Sequence, residues 1–289
     1  MHNPHPAMYY EKAEDNKVHC YLCPHNCLIA SGKVGVCRVR KNIDGELYSL
    51  NYGKITSIAL DPIEKKPLFH FHPGSIILSV GTFGCNLKCS FCQNWQIAHE
   101  TPETYDITPQ RLAEEAEKYA TRGNVGIAYT YNEPTIWYEF VYETSKLIRE
   151  KGLANVLVTN GFISQKPLED ILPYIDAMNI DLKAFNSSFY KDICKSSNAL
   201  EHVKNTIANA VKKCHVEVTT LVIPDLNDSI EEIEELASWL ASISSEIVLH
   251  LTRYFPRYKM DKPSTPIKTL SIAKEKASKY LKYVYLGNV

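Results

Sequence analysis

An α/β architecture, a parallel sheet with crossover helices behind a small cysteine-rich N-terminal module, is the expectation set by three features of this sequence. From residue 75 onward, short apolar runs alternate with amphipathic segments through six units, and repeated strand-then-helix order implies parallel strands joined by right-handed crossovers. Each run is β-branched or aliphatic and nearly continuous, as in strands covered on both faces. Residues 1–72 differ in kind: a cysteine cluster, glycine-rich spacing and short strand-like pieces replace the alternation. The expected division is therefore a metal-binding module over 1–72 and the α/β unit over 73–289.

The module has one clear strand-like piece, Glu46-Leu47-Tyr48-Ser49-Leu50. The six strands that follow are expected at 76–80, 125–130, 155–160, 177–181, 215–221 and 247–251, with a last strand-like run at 283–286. Between them, Thr108 caps and Pro109 opens a helix whose apolar positions Leu112, Ala116, Tyr119 and Ala120 keep helical spacing. The next helix runs from Thr135 with Ile136, Phe140, Val141, Leu147 and Ile148 on its apolar face, and stops at Gly152. Residues 187–194 form a short helical turn. Leu200, Val203, Ile207 and Val211 stripe a further helix, Ser229 with Glu232 makes a capping box for another, and Leu270, Ala273, Ala277, Tyr280 and Leu281 stripe the last. These stripes are core.

Charge and cysteine usage narrow the class. In 289 residues, 32 basic and 33 acidic side chains leave a net charge of -1, so nucleic acid is an unlikely obligatory partner. Residues 1–17 are polar and carry both charge signs, without the apolar core of a signal peptide. No apolar run reaches membrane-spanning length, and the expected location is cytoplasmic. Seven of the nine cysteines fall into two tight clusters, a pattern of metal binding in a reducing compartment. Cys194 and Cys214 are left over and are expected to be buried core thiols.

The second cluster, Cys85, Cys89 and Cys92, is a C-x3-C-x2-C loop directly after the first strand. Three thiolates can hold a four-iron cluster with one iron left open, and an open position marks a site of chemistry. The first cluster, Cys20, Cys23, Cys27 and Cys37, has four thiols, enough to close a structural site around zinc or a second iron-sulfur cluster, with His25 a substitute ligand. Other polar residues fall at strand ends, where ligands bind in parallel sheets. They are Tyr131-Asn132-Glu133-Pro134, Thr159-Asn160-Gly161, Asp181-Leu182-Lys183, Pro224 with Asn227-Asp228, and His250 with Arg253. His70 and His72 share one face if their segment is extended, and are expected to be solvated or near the mouth of the site.

The cysteine loop with an aromatic before its last cysteine, followed by these strand ends, resembles the radical S-adenosylmethionine (radical SAM) superfamily. Within it the chain is similar to the pyruvate formate-lyase activating enzyme-like branch, and most to the radical SAM enzyme of the AmmeMemoRadiSam system. The matching segments are Cys20-Tyr21-Leu22-Cys23-Pro24-His25-Asn26-Cys27, Asp61-Pro62-Ile63-Glu64-Lys65-Lys66-Pro67-Leu68, Cys92-Gln93-Asn94 and Tyr131-Asn132-Glu133-Pro134. The resemblance implies an incomplete (β/α)6-type partial TIM barrel. It also implies a [4Fe-4S] cluster on Cys85, Cys89 and Cys92 and bound SAM, cleaved to a 5'-deoxyadenosyl radical that abstracts hydrogen from substrate. By the same resemblance Phe91 packs near the adenine, Asn132 and Glu133 hold the methionine amine, and Asp181 and Lys183 lie near the SAM carboxylate and ribose. Thr159, Asn160 and His250 complete the cofactor-binding set.

The implied partners are an electron donor such as flavodoxin or ferredoxin and an unidentified substrate, a protein of the AmmeMemoRadiSam system being one candidate. Read from the residues alone, Glu133 is also a helix cap, Asp181 with Lys183 an ion pair, and Phe91 and His250 core. Alternatives to the leading function are an activase of glycyl radical enzymes, an electron-transfer protein without SAM, and a zinc-organised scaffold that docks partner proteins. Against the first, Val158 stands before Thr159 where glycyl-radical activases carry aspartate. Against the second, the next cysteine after Cys92 is Cys194.

Overall fold

The computed structural model describes residues 4–289; residues 1–3, the start of the expected module, lie outside the described residues. Its centre is an eight-stranded sheet made of β8 (Ser57–Pro62), β9 (Ile76–Gly81), β11 (Asn124–Tyr129), β12 (Ala154–Thr159), β13 (Ala177–Asp181), β14 (His215–Val222), β15 (Val248–Arg253) and β16 (Val284–Gly287). In space the order is β16-β15-β14-β13-β12-β11-β9-β8. All neighbours are parallel except β8 and β9. The order never reverses, so successive crossovers wind the same way and the sheet follows the course of a partial barrel. Each expected strand appears within about two residues of its predicted ends.

Packing explains the register. A Cβ on Gly126 would lie 1.9 Å from the Ala154 carbonyl oxygen, so only glycine lets β11 and β12 approach this closely. Along the outside, α2 (Pro109–Lys118) starts as predicted: the Thr108 hydroxyl accepts from Arg111 N at 3.1 Å, and Leu112, Ala113 and Ala116 are buried. Pro134–Trp137 is one 3-10 turn leading into α3 (Tyr138–Glu150), and Gly152 ends that segment in a left-handed conformation. α5 (Ser187–Asp192), α6 (Ala199–Ala210), α7 (Ile230–Ile243) and α8 (Ile267–Ala277) fill the remaining crossovers. The capping box at α7 forms by half. Ser229 accepts from Glu232 N at 3.2 Å, but the Glu232 carboxylate turns away to Phe185 N and Asn186 Nδ2, both at 2.6 Å.

The division at residue 72 does not match the sheet. Ser57–Pro62, grouped with the N-terminal module from sequence, is the antiparallel edge strand of the main sheet. Before it come two small antiparallel sheets. One joins β1 (His5–Pro6), β6 (Glu46–Ser49) and β5 (Arg40–Ile43); the other joins β2 (Tyr10–Lys12), β3 (Val18–Cys20) and β4 (Cys27–Ile29). Val18, Leu22, Ile29 and Leu47 belong to the same continuous core as Leu78 and Ile127 of the main sheet. A buried ion pair adds to the join: Arg40 Nη2 lies 2.7 Å from Glu139 Oε1 on α3, with side chains 1% and 2% exposed. Met8 N donates to the same carboxylate at 2.7 Å.

After β8 the chain turns inward and stops the lower end of the barrel. Ile63 and Leu68, fully buried, pack with Ile77, Ala128, Val156 and Ala177 of the strands. The Glu217 carboxylate on β14 anchors the segment, accepting Phe69 N at 3.0 Å and His70 N at 2.7 Å. It also accepts from His215 at 3.0 Å and His250 at 2.6 Å. No described helix is long and apolar enough to cross a membrane.

Candidate active site

At the C-terminal ends of the strands lies a cavity of about 540 Å³. Cys85, Cys89, Phe91, Cys92, Asn132, Glu133, Thr159, Asn160, Asp181 and Lys183 all line it. The structure thus brings together ten of the residues expected there from sequence and leaves out His250. That histidine is 2% exposed, bonds Glu217 and packs edge-on to Phe69. β15 continues to Arg253, so His250 sits inside the strand rather than at its end. His70 and His72 are at the opposite end of the barrel: His70 bonds the Tyr285 hydroxyl at 2.8 Å, and His72 lies beside Arg149 and Asp176.

The cysteine loop is held from both sides of Cys85. Gly84, at φ +91°, has no room for a side chain: a Cβ would meet Val39 Cγ1 at 2.7 Å and the Cys37 carbonyl at 3.0 Å. Its carbonyl accepts from Asn132 Nδ2 at 2.9 Å, while Asn132 Oδ1 takes Thr82 N at 3.0 Å. Asn86, on the other side, offers its carbonyl to His25 Nε2 at 2.7 Å and its Oδ1 to Asn160 Nδ2 at 2.9 Å. Asn160 Nδ2 also approaches Cys85 Sγ at 3.7 Å, and Leu87 N lies 3.4 Å from the same sulfur. Asn132 therefore shapes the loop, and His25 has its Nε2 committed to that loop rather than free as a metal ligand.

Glu133 is the anchor of the next two strand ends. Its carboxylate is 2% exposed and accepts from Thr135 N at 2.9 Å, Thr159 Oγ1 at 2.7 Å and Asn160 N at 2.8 Å. Burial raises its pKa against these hydrogen bonds. Both readings of Glu133 made from sequence meet here, since it caps the turn at Pro134 and lines the cavity. Asp181 and Lys183 form the ion pair allowed by their spacing, at 2.7 Å. Burial opposes the Lys183 charge, but Asp181, Cys89 and Cys194 outweigh it and hold the ammonium protonated. Phe91 is 6% exposed and packs against Phe189, with Lys183 Nζ 5.8 Å from its ring.

Burial, then the Glu133 carboxylate and the neighbouring thiols raise the Cys85 pKa, while for Cys89 a hydrogen bond with Cys194 leads and burial adds to it. Burial first, then Cys89, pushes Cys92 up to about 11. Thiols held neutral by an apolar wall become thiolates when a cationic metal group compensates them. Three such sulfurs on one loop, with amide donors aimed at Cys85, fit a four-iron cluster with one iron free of protein ligands.

The first cysteine set has the donor chemistry of a closed site. Cys20 faces Cys27 across β3 and β4, Cys23 lies in the turn between, and Cys37 is near enough for its charge to raise the Cys23 pKa beyond the effect of burial. Among the described residues, no three His, Cys, Asp or Glu side chains already converge to hold a lone metal ion.

Sequence reasoning missed several residues of the cavity. Asp61 comes from β8, Lys65 and Lys66 from the inward-turning segment that follows it, and His99 from α1 (Trp95–His99). The segment 61–68 was singled out for its resemblance, but nothing in its pattern says that it returns to the strand ends. Cys194 is fully buried as expected, yet its carbonyl takes Lys88 N at 3.0 Å, which places it directly against the cysteine loop. Cys214 is a half-buried thiol at the end of α6, with its S–H directed at the Ala210 carbonyl.

Comparison with known proteins identifies the family of the chain. A family model for the radical SAM superfamily matches residues 79–240. An uncharacterized protein of Methanocaldococcus jannaschii is 47% identical over 290 residues, covering 98% of this chain and 85% of its own length. The pyruvate formate-lyase-activating enzyme of Clostridium pasteurianum is 26% identical over 212 residues, covering 70% of this chain and 87% of its own. Among solved structures, a radical SAM methyltransferase from Sphaerobacter thermophilus superposes with a TM-score of 0.59 at 16% identity, over 75% of this chain and 67% of that one, a likeness of fold.

Proposed function

The chain belongs to the radical SAM superfamily, a family of enzymes that implies a [4Fe-4S] cluster and SAM, and from that premise we propose that it cleaves SAM reductively to start hydrogen abstraction from a substrate seated in the barrel. The observation that carries the reading is the cavity that Cys85, Cys89 and Cys92 share with residues at or near the C-terminal ends of six further strands. Cys85, Cys89 and Cys92 would hold the cluster. When bound, cluster and SAM together supply a 5'-deoxyadenosyl radical, the chemistry that no side chain provides.

The chain's own residues place and shield these groups. Asn160 directs its amide at Cys85 Sγ, and hydrogen bonds to a cluster sulfur raise its potential. Lys183, kept charged by Asp181, faces the cavity as the partner for a carboxylate, and the buried Glu133 fixes the Thr159-Asn160 turn. Phe91 and Leu87 keep water from the loop. Electrons would come from a small low-potential carrier such as flavodoxin or ferredoxin. The four N-terminal cysteines are proposed to hold a structural metal, zinc or a second cluster, and metal analysis of Cys20→Ser protein decides between them and neither.

Anaerobically reconstituted protein with reductant and SAM should release 5'-deoxyadenosine and methionine, and Cys89→Ala should release none. Undiminished release in that variant would defeat the assignment. A second reading, activation of a glycyl radical enzyme, is favoured by the similarity to the Clostridium pasteurianum activating enzyme. It predicts a glycyl radical signal when the protein is mixed with a glycyl radical enzyme and SAM. Val158, standing where such activases carry aspartate, argues for a different substrate.

A further inference from the structure

The outer edge of the cysteine loop carries charge that the chemistry inside the cavity does not use. Lys88, one residue before Cys89, is exposed, and neither it nor Arg38 nor Lys259 lines the cavity. All three stand close to His99, where burial first and then the charges of Arg38, Lys259 and Lys88 lower the imidazole pKa. Arg38 Nη2 donates to the carbonyls of Ala98 at 3.1 Å and Glu100 at 3.2 Å, and Lys259 N donates to the Ser90 carbonyl at 2.9 Å. Among the described residues no carboxylate pairs with Arg38, Lys88 or Lys259. The sequence around them is poor in acid, in a chain whose net charge is -1. From Gly84 the first carboxylate along the chain is Glu100, and residues 253–262 hold four cations against Asp261 alone.

The turn that brings Lys259 here is fixed in place. Arg257 and Met260 bond each other across it, N to O at 3.0 and 3.2 Å, and Tyr258 at its tip has φ +59°, a left-handed conformation that tyrosine rarely adopts. The Tyr258 ring stacks on Trp95 at 5.2 Å and on His99 at 5.5 Å, both on α1. Stacked on two rings at once, it offers little platform for a nucleic-acid base. The result is an anchored basic face beside Lys88–Ser90, the stretch of loop around Cys89.

We propose that this face docks a small acidic electron-transfer protein, which reduces the cluster through the loop. SAM and substrate occupy the cavity, so the donor comes to the three cysteines from outside it. There Ser90, whose carbonyl takes the Lys259 amide, adjoins Cys89 and links the surface turn to a cluster ligand. One electron leaves the carrier, which is oxidised by one, and reduces the cluster by one. A compact patch of three cations suits the brief, electrostatically steered encounters that electron carriers make, whereas a nucleic acid needs a longer track of phosphate contacts. The proposal rests on the reading above in taking Cys85, Cys89 and Cys92 as the cluster ligands.

The test uses reconstituted holoenzyme with a flavodoxin of acidic surface as the probe. Binding of oxidised flavodoxin is measured by calorimetry, and bleaching of the cluster absorption is followed after mixing with the reduced form, each at low and high salt. At low salt Lys88→Glu/Lys259→Glu should bind about tenfold more weakly and be reduced about tenfold more slowly, with the difference shrinking at high salt. Photoreduced deazariboflavin, which is small and uncharged, should reduce wild type and variant at the same rate. Lys259→Glu alone, outside the loop, should show a smaller slowing with iron content unchanged, which keeps the outcome readable if the double variant holds less cluster. Equal rates with flavodoxin, a defect that salt leaves unaltered, or an equal slowing with deazariboflavin overturns the proposal. So does an oligouridylate that binds holoenzyme more tightly than flavodoxin and loses that binding in the double variant, since the face then serves nucleic acid. SAM cleavage driven by deazariboflavin reads the radical SAM assignment by itself, so the two fail separately.

Discussion

Replacing Glu217 by glutamine removes the charge that ties the inward-turning segment to β14 at Phe69 and His70. Burial alone would raise this carboxyl, but hydrogen bonds from His215 and His250 and from the amides of Phe69 and His70 bring it down from 4.5 to about 2. At 1.36 kcal/mol per unit, that depression corresponds to about 3 kcal/mol of stability. The side chain is 0% exposed, so solvent does not screen the interaction. Because the native pKa lies below the unfolded one, the stabilisation is complete above about pH 4.5 and fades as pH falls toward 2. Urea unfolding of wild type and Glu217→Gln, followed by intrinsic fluorescence from pH 7 to pH 3, reads the difference. The variant should be less stable by about 3 kcal/mol at pH 7, with the gap narrowing on the acid side. A gap below about 1 kcal/mol at pH 7, or one that stays constant with pH, would refute the argument.

Gly84→Ala places a Cβ against Val39 and the Cys37 carbonyl at a φ of +91°, and should cost about 1–3 kcal/mol and lower the iron bound per chain, read by thermal unfolding and iron assay. Glu139→Ala strands the Arg40 guanidinium in the core and should destabilise by about 3–5 kcal/mol in chemical denaturation, with Glu139→Gln milder. Asn160→Ala removes the amide near Cys85 Sγ; a potentiometric titration should show a more negative cluster potential with iron content preserved.

The parallel strands were legible because each is buried on both faces and so reads as an unbroken aliphatic run. β8 was not: Ser-Ile-Ala-Leu-Asp-Pro has Ile58 at 43% exposure, carries a charge and ends in proline, as edge strands do. The site followed the same division. Cys85, Asn132, Glu133, Asn160, Asp181 and Lys183 stand at or just past strand ends, where position in the sequence gives position in space. His250 was misplaced because β15 runs two residues beyond the predicted end, which moved the histidine from rim to interior. Asp61 and Lys66 reach the cavity, and Cys194 the cysteine loop, through tertiary return of the chain, and neither spacing nor periodicity records such a return.

Arg40 and Glu139 set a limit on how this chain exchanges parts with its relatives. Residues 4–56 and the barrel share one apolar core and one buried charge pair. A chimaera that joins this barrel to another protein's leading segment inherits a carboxylate on α3 with its cation gone. One that joins this leading segment to another barrel carries a guanidinium left with the Met8 carbonyl but no carboxylate. Either graft needs a matched substitution on the opposite side of the seam, so positions 40 and 139 are expected to change together or not at all.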